Sequence, residues 1–320
     1  MTDAPLVSVA IPAYNGAAWI GETLASLDAQ TLTDWEAIVV DDRSSDATRA
    51  LIRDWPDARV RLVENPENVG PVRTRNRGVA EARGRYIAGL DQDDVCRPER
   101  LARQVAYLDA NPAVALVGTQ AEQLRDGRVS AMQYARATTP ALVAWLAWIE
   151  NPLVWSSVMM RGDVVRALTP FTRPEILYAE DFDLYHRVGA FGAIARLDTP
   201  LLLYRQHAGG ASKRFTETMR TSATRVLAER HAGVLGADAA EVARLLVLHN
   251  MGGVPVPDGA TLRRLREGVA RLQAAYLART RVSQEDERLI RFETARRLDR
   301  KSGSAGMPRP LSVSRMPSSA

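Results

Sequence analysis

The feature that most constrains the fold is a regular alternation in the first half of the chain. Short runs rich in β-branched residues alternate with longer segments that carry apolar residues at helical spacing. The strand-like runs cover residues 7–11, 36–41, 59–64, 86–90 and 114–119. The helix-like segments between them cover residues 17–30, 47–55, 70–83 and 98–110. This alternation predicts an α/β fold with a mostly parallel sheet flanked by helices.

The residues that follow the first four strand-like runs are polar and turn-forming. They read PAYNG at 12–16, DDRSSD at 41–46, NPENVG at 65–70 and DQDD at 91–94. The carboxyl ends of parallel strands meet at one edge of a sheet, and ligands of such sheets bind there. We therefore predict the functional site at this edge.

Three aspartates crowd the last of these strand ends. Asp91, Asp93 and Asp94 repel one another, and each resists desolvation. Mg²⁺ or Mn²⁺ would offset that repulsion, because such hard cations take oxygen ligands and bind one or two carboxylates together with substrate phosphates. The alternative is structural, with Asp94 capping the helix that opens near Pro98.

Composition and absent motifs exclude several classes of protein. The single cysteine, Cys96, allows neither an internal disulfide nor a zinc cluster. No GxGxxG follows the first strand, which disfavours a dinucleotide-binding oxidoreductase, and no GxxxxGK[ST] is present, which disfavours a P-loop enzyme. With 42 Lys and Arg against 38 Asp and Glu, the net charge of +4 does not require a nucleic-acid partner, and we expect none.

The N-terminal sequence lacks the pattern of a signal peptide, and we expect the protein in the cytoplasm. The most membrane-like segment, residues 141–155, is interrupted by Glu150, Asn151 and Pro152. It therefore falls short of the roughly 20 apolar residues that a spanning helix needs.

The sequence after residue 213 is helical in character. Apolar residues alternate spacings of three and four at Leu262, Leu265, Val269, Leu272 and Tyr276. This pattern predicts an amphipathic helix, whose other face carries Arg263, Arg264, Arg266 and Arg271. We expect a helical region over 214–300, packed on the rest of the chain or on a second copy, so a homo-oligomer through these helices stays open. Residues 301–320 are rich in Ser and Pro and are predicted to be disordered.

Four motifs, in order along the chain, resemble those of family 2 glycosyltransferases with the GT-A fold. They are VSVAIPAYNG, EAIVVDDRSSDAT, ENVGPVRTRNRGVAEARGRYIAGLDQDD and LYAEDFDLYHRV. The resemblance covers about residues 6–213, so we place a catalytic domain at 1–213. It implies an inverting enzyme that moves a sugar from a nucleoside-diphosphate-sugar to a hydroxyl acceptor, with Mn²⁺ or Mg²⁺ as cofactor.

The resemblance also implies a biological setting. The acceptor would be a saccharide, a lipid-linked molecule or another hydroxyl compound, in the synthesis of a polysaccharide or other glycoconjugate. Relatives that act on lipid-linked chains imply a peripheral contact with the inner face of the membrane.

Residue roles at the donor side follow from the same resemblance. The loop after the first strand would line the base and ribose, through Pro12, Ala13, Tyr14 and Asn15. Further contacts to the nucleotide-sugar are expected from Asp42 to the base and from Arg73 and Arg75 to base or phosphate. The DxD motif is Asp91–Gln92–Asp93, with its first acid toward the ribose and its second toward the metal.

Roles at the catalytic side are implied for two later segments. In the ED motif, Asp181 is the candidate general base and Glu180 a neighbouring helper. The alternative is that both acids only complement a helix N-terminus. His207 is a candidate metal ligand beside Asp91 and Asp93, although a lone histidine is more often a surface or core residue. Arg205 and Lys213 would neutralise the diphosphate.

Three other functions stay open from the residues alone. A sugar nucleotidyltransferase also uses acids and a divalent ion, but PAYNGAAW lacks its Gly-rich, basic signature. A catalytically silent sugar-nucleotide-binding or scaffold protein is the second alternative. The third is that the basic helical C-terminus is the main functional part, as a membrane-surface or partner-binding module.

Overall fold

The computed structural model describes residues 4–135 and 137–302 and has nine strands in one sheet and twelve α-helices within those residues. The strands are β1 (Val7–Ala13), β2 (Trp35–Asp41), β3 (Val60–Glu64), β4 (Tyr86–Gly89), β5 (Val95–Cys96), β6 (Val114–Arg125), β7 (Arg128–Ala131), β8 (Met159–Arg161) and β9 (Ala193–Arg205). The first six helices are α1 (Ile20–Asp28), α2 (Thr48–Arg53), α3 (Pro71–Ala80), α4 (Arg100–Ala110), α5 (Pro140–Leu146) and α6 (Gly162–Ala167). The last six are α7 (Glu180–Val188), α8 (Ala211–Arg214), α9 (Thr216–Leu235), α10 (Ala239–Leu245), α11 (Gly259–Arg279) and α12 (Gln284–Ser302).

The sheet has the strand order β3-β2-β1-β4-β8-β6-β9-β5, with β7 paired to β6. Pairings among the first four strands are parallel, and so is the long pairing of β6 with β9. The pairs β4–β8, β6–β8, β5–β9 and β6–β7 are antiparallel. The predicted parallel sheet is therefore found where the strand ends carry the motifs, while the second half of the sheet is mixed.

Burial on both faces explains why the first strands read as unbroken apolar runs. All seven residues of β2 are buried. Val9 and Ile11 of β1 pack toward α1 and α4, while the intervening Ala10 packs with residues of α3 and α7 on the opposite face. The helices cover the sheet and leave its strand ends open.

The C-terminal helices pack on α5 and α7 rather than forming a separate core. One cluster of buried residues joins Trp145 and Phe182 to Leu227, Leu272 and Ile290. The predicted stripe on α11 is buried at four positions, and its first member, Leu262, is half-buried. The four arginines predicted on its other face are exposed.

Several predicted boundaries differ from the structure. The first four helices begin one to three residues later than predicted, and the first three also end earlier, because apolar spacing does not locate the capping turns. The strand predicted at 114–119 continues to Arg125 because it pairs with β9 along its length. Lys301 and Ser302 end α12, and the rest of the predicted disordered tail, 303–320, lies outside the described residues. No helix within the described part of the chain is both long and apolar enough to cross a membrane.

Candidate active site

A cavity of about 490 Å³ lies at the carboxyl edge of the parallel strands, as predicted. It is lined by residues from the strand ends, from the ED segment and from the connection that follows β9. The lining residues discussed below are Pro12, Ala13, Tyr14, Asp42, Gly70, Arg75, Asp91, Gln92, Asp93, Tyr178, Glu180, Arg205, His207, Lys213 and Phe215.

The loop after β1 is fixed to the DxD motif by a reciprocal pair of hydrogen bonds. The Tyr14 amide donates to Oε1 of Gln92 at 2.9 Å, and Nε2 of Gln92 donates to the Tyr14 carbonyl at 3.0 Å. Gly16 permits this approach, because a Cβ at that position would overlap the Gln92 amide group. The loop after β1 and the acidic loop, which carries Asp91, Asp93 and Asp94, therefore form one rigid wall.

Asn15 does not line the cavity, contrary to its predicted contact with the nucleotide-sugar. Its backbone is left-handed, with φ of 48°, and its Oδ1 accepts a hydrogen bond from the Ser45 amide at 2.8 Å. Its own amide donates to Oγ of Ser44 at 2.9 Å. Asn15 therefore joins the loop after β1 to the loop after β2, which holds both in place.

Asp42 lies buried against the cavity and organises the loop that follows β3. Its Oδ1 accepts from Nδ2 of Asn65 at 2.8 Å and from the Val69 amide at 2.9 Å, and its Oδ2 accepts from the Gly70 amide at 2.9 Å. Oδ2 therefore keeps acceptor capacity for a ligand. Arg73, predicted to join the same site, is exposed on α3 and does not line the cavity.

Arg75 is the buried cation at the centre of the acidic residues. Its guanidinium pairs with Glu180 and, at 3.3 Å, with Oδ1 of Asp91, and it stacks 4.5 Å from the ring centre of Trp155. Burial opposes its charge, but Glu180 and Asp91 raise the pKa of Arg75 overall. Burial, Asp93 and Glu180 raise the pKa of Asp91 to about 6 against the opposing effect of Arg75.

Asp93 and His207 contact each other at the wall of the cavity, although 114 positions separate them in sequence. Nε2 of His207 lies 2.8 Å from Oδ2 of Asp93. The His207 ring contacts Trp19, with ring centres 5.2 Å apart, and Arg205 stacks on the same indole at 4.7 Å. Nε of Arg205 donates to the Asp93 carbonyl at 2.7 Å, so the end of β9 is bound to the acidic loop.

The predicted set of three metal ligands is not assembled. Across residues 4–135 and 137–302, no group of three or more His, Cys, Asp or Glu side chains is placed to hold a metal ion. Asp91 is drawn to Arg75 instead. Asp93 and His207 offer one carboxylate oxygen and one imidazole nitrogen, which fits a Mn²⁺ or Mg²⁺ ion that takes its other ligands from phosphate and water.

Asp94 anchors β9 and does not cap α4. Its Oδ1 accepts from the Arg205 amide at 2.8 Å, whereas α4 has Glu99 at its N-cap with no side-chain cap bond. Burial, Asp93 and Asp91 raise the pKa of Asp94 well above its usual range. The capping alternative is therefore wrong, and the third aspartate joins the two halves of the sheet edge.

Glu180 and Asp181 open α7, and only Glu180 lines the cavity directly. Asp181 is half-buried behind it, where its Oδ1 accepts from the Phe182 amide at 2.7 Å and its Oδ2 accepts from Nδ2 of Asn151 at 3.0 Å. Burial and the neighbouring Glu180 raise the pKa of Asp181 to about 6. A carboxyl in that range can accept a proton near neutral pH.

Aromatic residues border the mouth of the cavity next to these acids. Tyr178 stacks on Phe215 with ring centres 4.3 Å apart and planes at 8°. Tyr178 also has a left-handed backbone, with φ of 61°, which is strained for a bulky residue. Strain of this kind is concentrated at functional sites.

Four site residues were hard to find from local pattern. Trp19, Asn151, Tyr178 and Phe215 reach the site through contacts between distant segments. Trp19 lies just after the first motif and Tyr178 lies within the last one, which is the one signal that marked them. Asn151 was noted only because, with Glu150 and Pro152, it interrupts the apolar residues 141–155. Phe215 carries no local pattern.

Comparisons with known proteins point to one family. The model of glycosyl transferase family 2 matches residues 8–168, just over half of the chain. An uncharacterised glycosyltransferase of Haemophilus influenzae is 27% identical over 72% of this chain and 74% of its own length. The succinoglycan biosynthesis protein ExoO of Rhizobium meliloti is 44% identical over 39% of this chain, and the match spans 36% of ExoO.

A solved structure shares the fold. The mannosyltransferase PcManGT from Pyrobaculum calidifontis, in complex with GDP-Man and Mn²⁺, aligns with a TM-score of 0.55 at 20% identity, covering 95% of this chain and 85% of that one. The expected GT-A-type α/β fold with a helical C-terminal region is thereby confirmed. The chain belongs to glycosyl transferase family 2.

Proposed function

We propose that this glycosyltransferase moves a sugar from a nucleoside-diphosphate-sugar to a hydroxyl acceptor, with a divalent metal ion and with inversion at the anomeric carbon. The observation that carries the proposal is one cavity bordered by Asp42, by the DxD motif with His207, and by the ED motif. The GDP-Man and Mn²⁺ found with PcManGT support the same substrate class and cofactor.

The donor would lie along the strand ends. Pro12, Ala13 and Tyr14 would contact the base and ribose, and Asp42 would accept a hydrogen bond from the base through its remaining acceptor capacity. Arg205 and Lys213 line the same cavity beyond the DxD motif. Their positive charges would stabilise the negative charge that grows on the departing diphosphate.

Asp93 and His207 would hold the metal ion, which would supply further charge neutralisation at the diphosphate. Asp91, held by Arg75, would face the ribose, as the resemblance implies. The ion pair with Arg75 also keeps Asp91 from adding its full charge to that of Asp93. In these roles Asp91 would serve the ribose of the donor and Asp93, through the metal ion, its diphosphate.

The chemical step would use Asp181 as general base. As the acceptor oxygen forms its bond to the anomeric carbon, Asp181 takes the hydroxyl proton, and the bond from that carbon to the diphosphate oxygen breaks with its electron pair. Attack from the face opposite the leaving group inverts the configuration. Glu180, on the cavity wall beside Asp181, would help bind the acceptor.

The acceptor side supports a saccharide or a saccharide-bearing lipid. Tyr178 and Phe215 place aromatic surface next to Glu180, and such surfaces pack against sugar rings. ExoO, by its name, acts in succinoglycan biosynthesis, so we propose that this chain serves polysaccharide or other glycoconjugate synthesis. Residues 1–213 would form the catalytic domain, in the cytoplasm, with a peripheral contact to the inner membrane face.

Calorimetric titration tests the donor and metal assignments together. UDP-glucose, UDP-GlcNAc, GDP-mannose and dTDP-glucose are titrated with Mn²⁺, with Mg²⁺ and with EDTA. We expect one donor to bind at least about tenfold more tightly with a divalent ion, and Asp93→Asn to lose that gain, because the ion is bound by substrate phosphates together with a carboxylate.

Unchanged thermal unfolding of Asp93→Asn without donor serves as the control for folding. If neither ion strengthens the binding of any of these donors, the metal-dependent function proposed above is wrong.

A further inference from the structure

Two sets of polar contacts, joined through the adjacent residues Glu150 and Asn151, connect the last helix to the candidate general base. The first set begins at Arg297 on α12, whose side chain is largely buried. Nη2 of Arg297 donates to Oε1 of Glu150 at 2.6 Å, and Nε donates to Oε2 at 2.9 Å. A bidentate pair of this kind fixes both the position and the orientation of the carboxylate.

The segment that carries Glu150 has no regular secondary structure of its own. It follows α5, and a second C-terminal residue holds it from another side. Nδ2 of Asn250 donates to the Ile149 carbonyl at 3.0 Å and to Oε2 of Glu150 at 3.3 Å. The position of this segment therefore depends on two C-terminal elements, the π-helical turn Leu246–Met251 and α12.

Asn151, the next residue, contacts Asp181. Nδ2 of Asn151 donates to Oδ2 of Asp181 at 3.0 Å, while its Oδ1 accepts from the Leu153 amide at 3.3 Å. The Leu153 contact determines which end of the amide faces Asp181, so Asn151 presents its donor. Oδ1 of Asp181 is bound by the Phe182 amide, so Asn151 fixes the second oxygen and thereby the carboxylate plane.

The electrostatic effect of this contact follows from the groups around Asp181. The charged groups that act on its pKa are Glu180 on α7 and Arg75 on α3, and Asp181 in turn helps burial to raise the pKa of Tyr185 on α7. Glu180 and burial disfavour the carboxylate, whereas Arg75 and the Asn151 amide favour it. A hydrogen bond donated to the charged form lowers a pKa, so Asn151 keeps Asp181 more ionised near neutral pH.

We propose that Asn151 is a positioning residue for Asp181 and that Arg297 on α12, through Glu150, holds Asn151 in place, so the C-terminal helices complete the catalytic side of the site. The functional meaning of this arrangement rests on the proposed role of Asp181 as general base. The contacts themselves can be tested without any substrate.

The test is a ¹³C NMR titration of aspartate carboxyl groups in the full chain, with the Asp181 signal assigned by its loss in Asp181→Asn. We expect Asn151→Ala to raise the pKa of Asp181 by about one unit, since a hydrogen bond to a charged group contributes on that scale. Arg297→Met should raise it by roughly half as much, because Asn151 remains but is held less firmly.

Arg296→Met is the matched control. Arg296 is the preceding residue on α12 and also pairs with Glu293, but only Arg297 reaches Glu150. We expect Arg296→Met to leave the Asp181 titration unchanged. Thermal unfolding of all variants shows whether the fold persists, and Asn151→Ala, which breaks no ion pair, keeps the test decisive if Arg297→Met unfolds.

Two results separate this inference from the function on which it rests. An Asp181 titration that is the same in wild type and Asn151→Ala overturns the positioning role, whatever the activity of the enzyme. Full transfer activity in Asp181→Asn overturns the general-base role, whatever the titration shows. If the pKa of Asp181 shifts in Asn151→Ala but not in Arg297→Met, the role of α12 is wrong and the role of Asn151 stands.

Discussion

The strand edge and the C-terminal helices shift the pKa values of their carboxylates in opposite directions. At the strand edge, burial and neighbouring acids raise the pKa of Asp91 and Asp181 to about 6. In the helices, hydrogen bonds from Arg244 lower the pKa of Glu241, and those from Arg296 and Arg297 overcome burial to lower the pKa of Glu293. Arginine side chains outweigh burial for these two glutamates, whereas for Asp91 and Asp181 the charge of Arg75 and the donated hydrogen bonds do not.

This contrast teaches where binding is to be sought. A carboxylate with a raised pKa destabilises the folded protein at neutral pH, and natural proteins keep such groups mainly at functional sites. The cavity at the strand edge therefore needs ligands to complete its electrostatics. The C-terminal helices need none, which fits a supporting role in which their packing fixes the other side of the site.

The largest expected effect is on catalysis at the strand edge. Asp181→Asn should lower kcat for transfer by about 10²–10⁴-fold, the usual contribution of a general base, with donor affinity unchanged. Asp163→Asn is the control, because Asp163 also sits in the first turn of a helix and accepts from the following amide, but it is exposed. Steady-state kinetics and calorimetry measure both variants. A loss of donor binding in Asp181→Asn would contradict its placement on the acceptor side.

Stability at the strand edge should depend on Arg75, the buried cation that pairs with Asp91 and Glu180. Arg75→Met should lower the free energy of unfolding by about 3 kcal/mol, because the buried Glu180 and the half-buried Asp91 both lose their cationic partner. Arg73→Met, on the same helix but exposed, should change it by less than about 0.5 kcal/mol. Urea unfolding near pH 7.5 measures the difference. Equal effects of the two variants would remove Arg75 from the centre of the site.

In the C-terminal helices, packing should dominate. Leu272→Ala should cost about 3 kcal/mol of unfolding free energy, as a fully buried leucine leaves a cavity. Leu277→Ala, half-buried on the same helix, should cost less. Below the unfolding transition, kcat per folded molecule should be unchanged in both, and a large loss of kcat in Leu277→Ala would show that the helices do more than support.

The smallest expected effects are on the free energy of unfolding, and their signs differ between the strand edge and the C-terminal helices. At about pH 7.5, Asp181→Asn should raise the free energy of unfolding by about 1–2 kcal/mol, since the raised pKa of Asp181 penalises the folded state above about pH 6. That gain should fade as the pH falls through 6 toward 4.

Glu293→Gln should have the opposite sign. The lowered pKa of Glu293 contributes stability above its ordinary range, so at about pH 7.5 its replacement should lower the free energy of unfolding by about 1–2 kcal/mol, and the deficit should shrink at acid pH. Thermal unfolding between pH 4 and pH 8 measures both variants. The same sign for both would mean that the two regions do not differ in this way.

Much of the strand edge was predictable from local pattern. Strand ends of a parallel sheet must meet, so the motifs alone place Ala13, Asp42 and Asp91 together. Arg73 was predicted beside Arg75 for its nearness in sequence alone. Residues two positions apart on a helix face different ways, and the structure buries Arg75 and exposes Arg73.

The contacts of the catalytic side were beyond sequence reasoning. Asn151 meets Asp181 across 30 positions and Glu150 meets Arg297 across 147, and no spacing rule links such residues. Apolar spacing predicted that α11 is amphipathic, but it carried no information on which helices its stripe would meet. Apolar periodicity predicts which face of a helix is buried, whereas the rest of the fold determines which elements pack against that face.

The path of β9 has a consequence for how the protein is made. This strand pairs with β6 and β5 and carries Arg205 and His207 to the acidic loop. A chain emerging from the ribosome therefore has the loop after β1 and the DxD motif long before Arg205 and His207. The contacts of Asp93 with Arg205 and His207 can form only after translation has passed His207, so this wall of the cavity is completed late in synthesis.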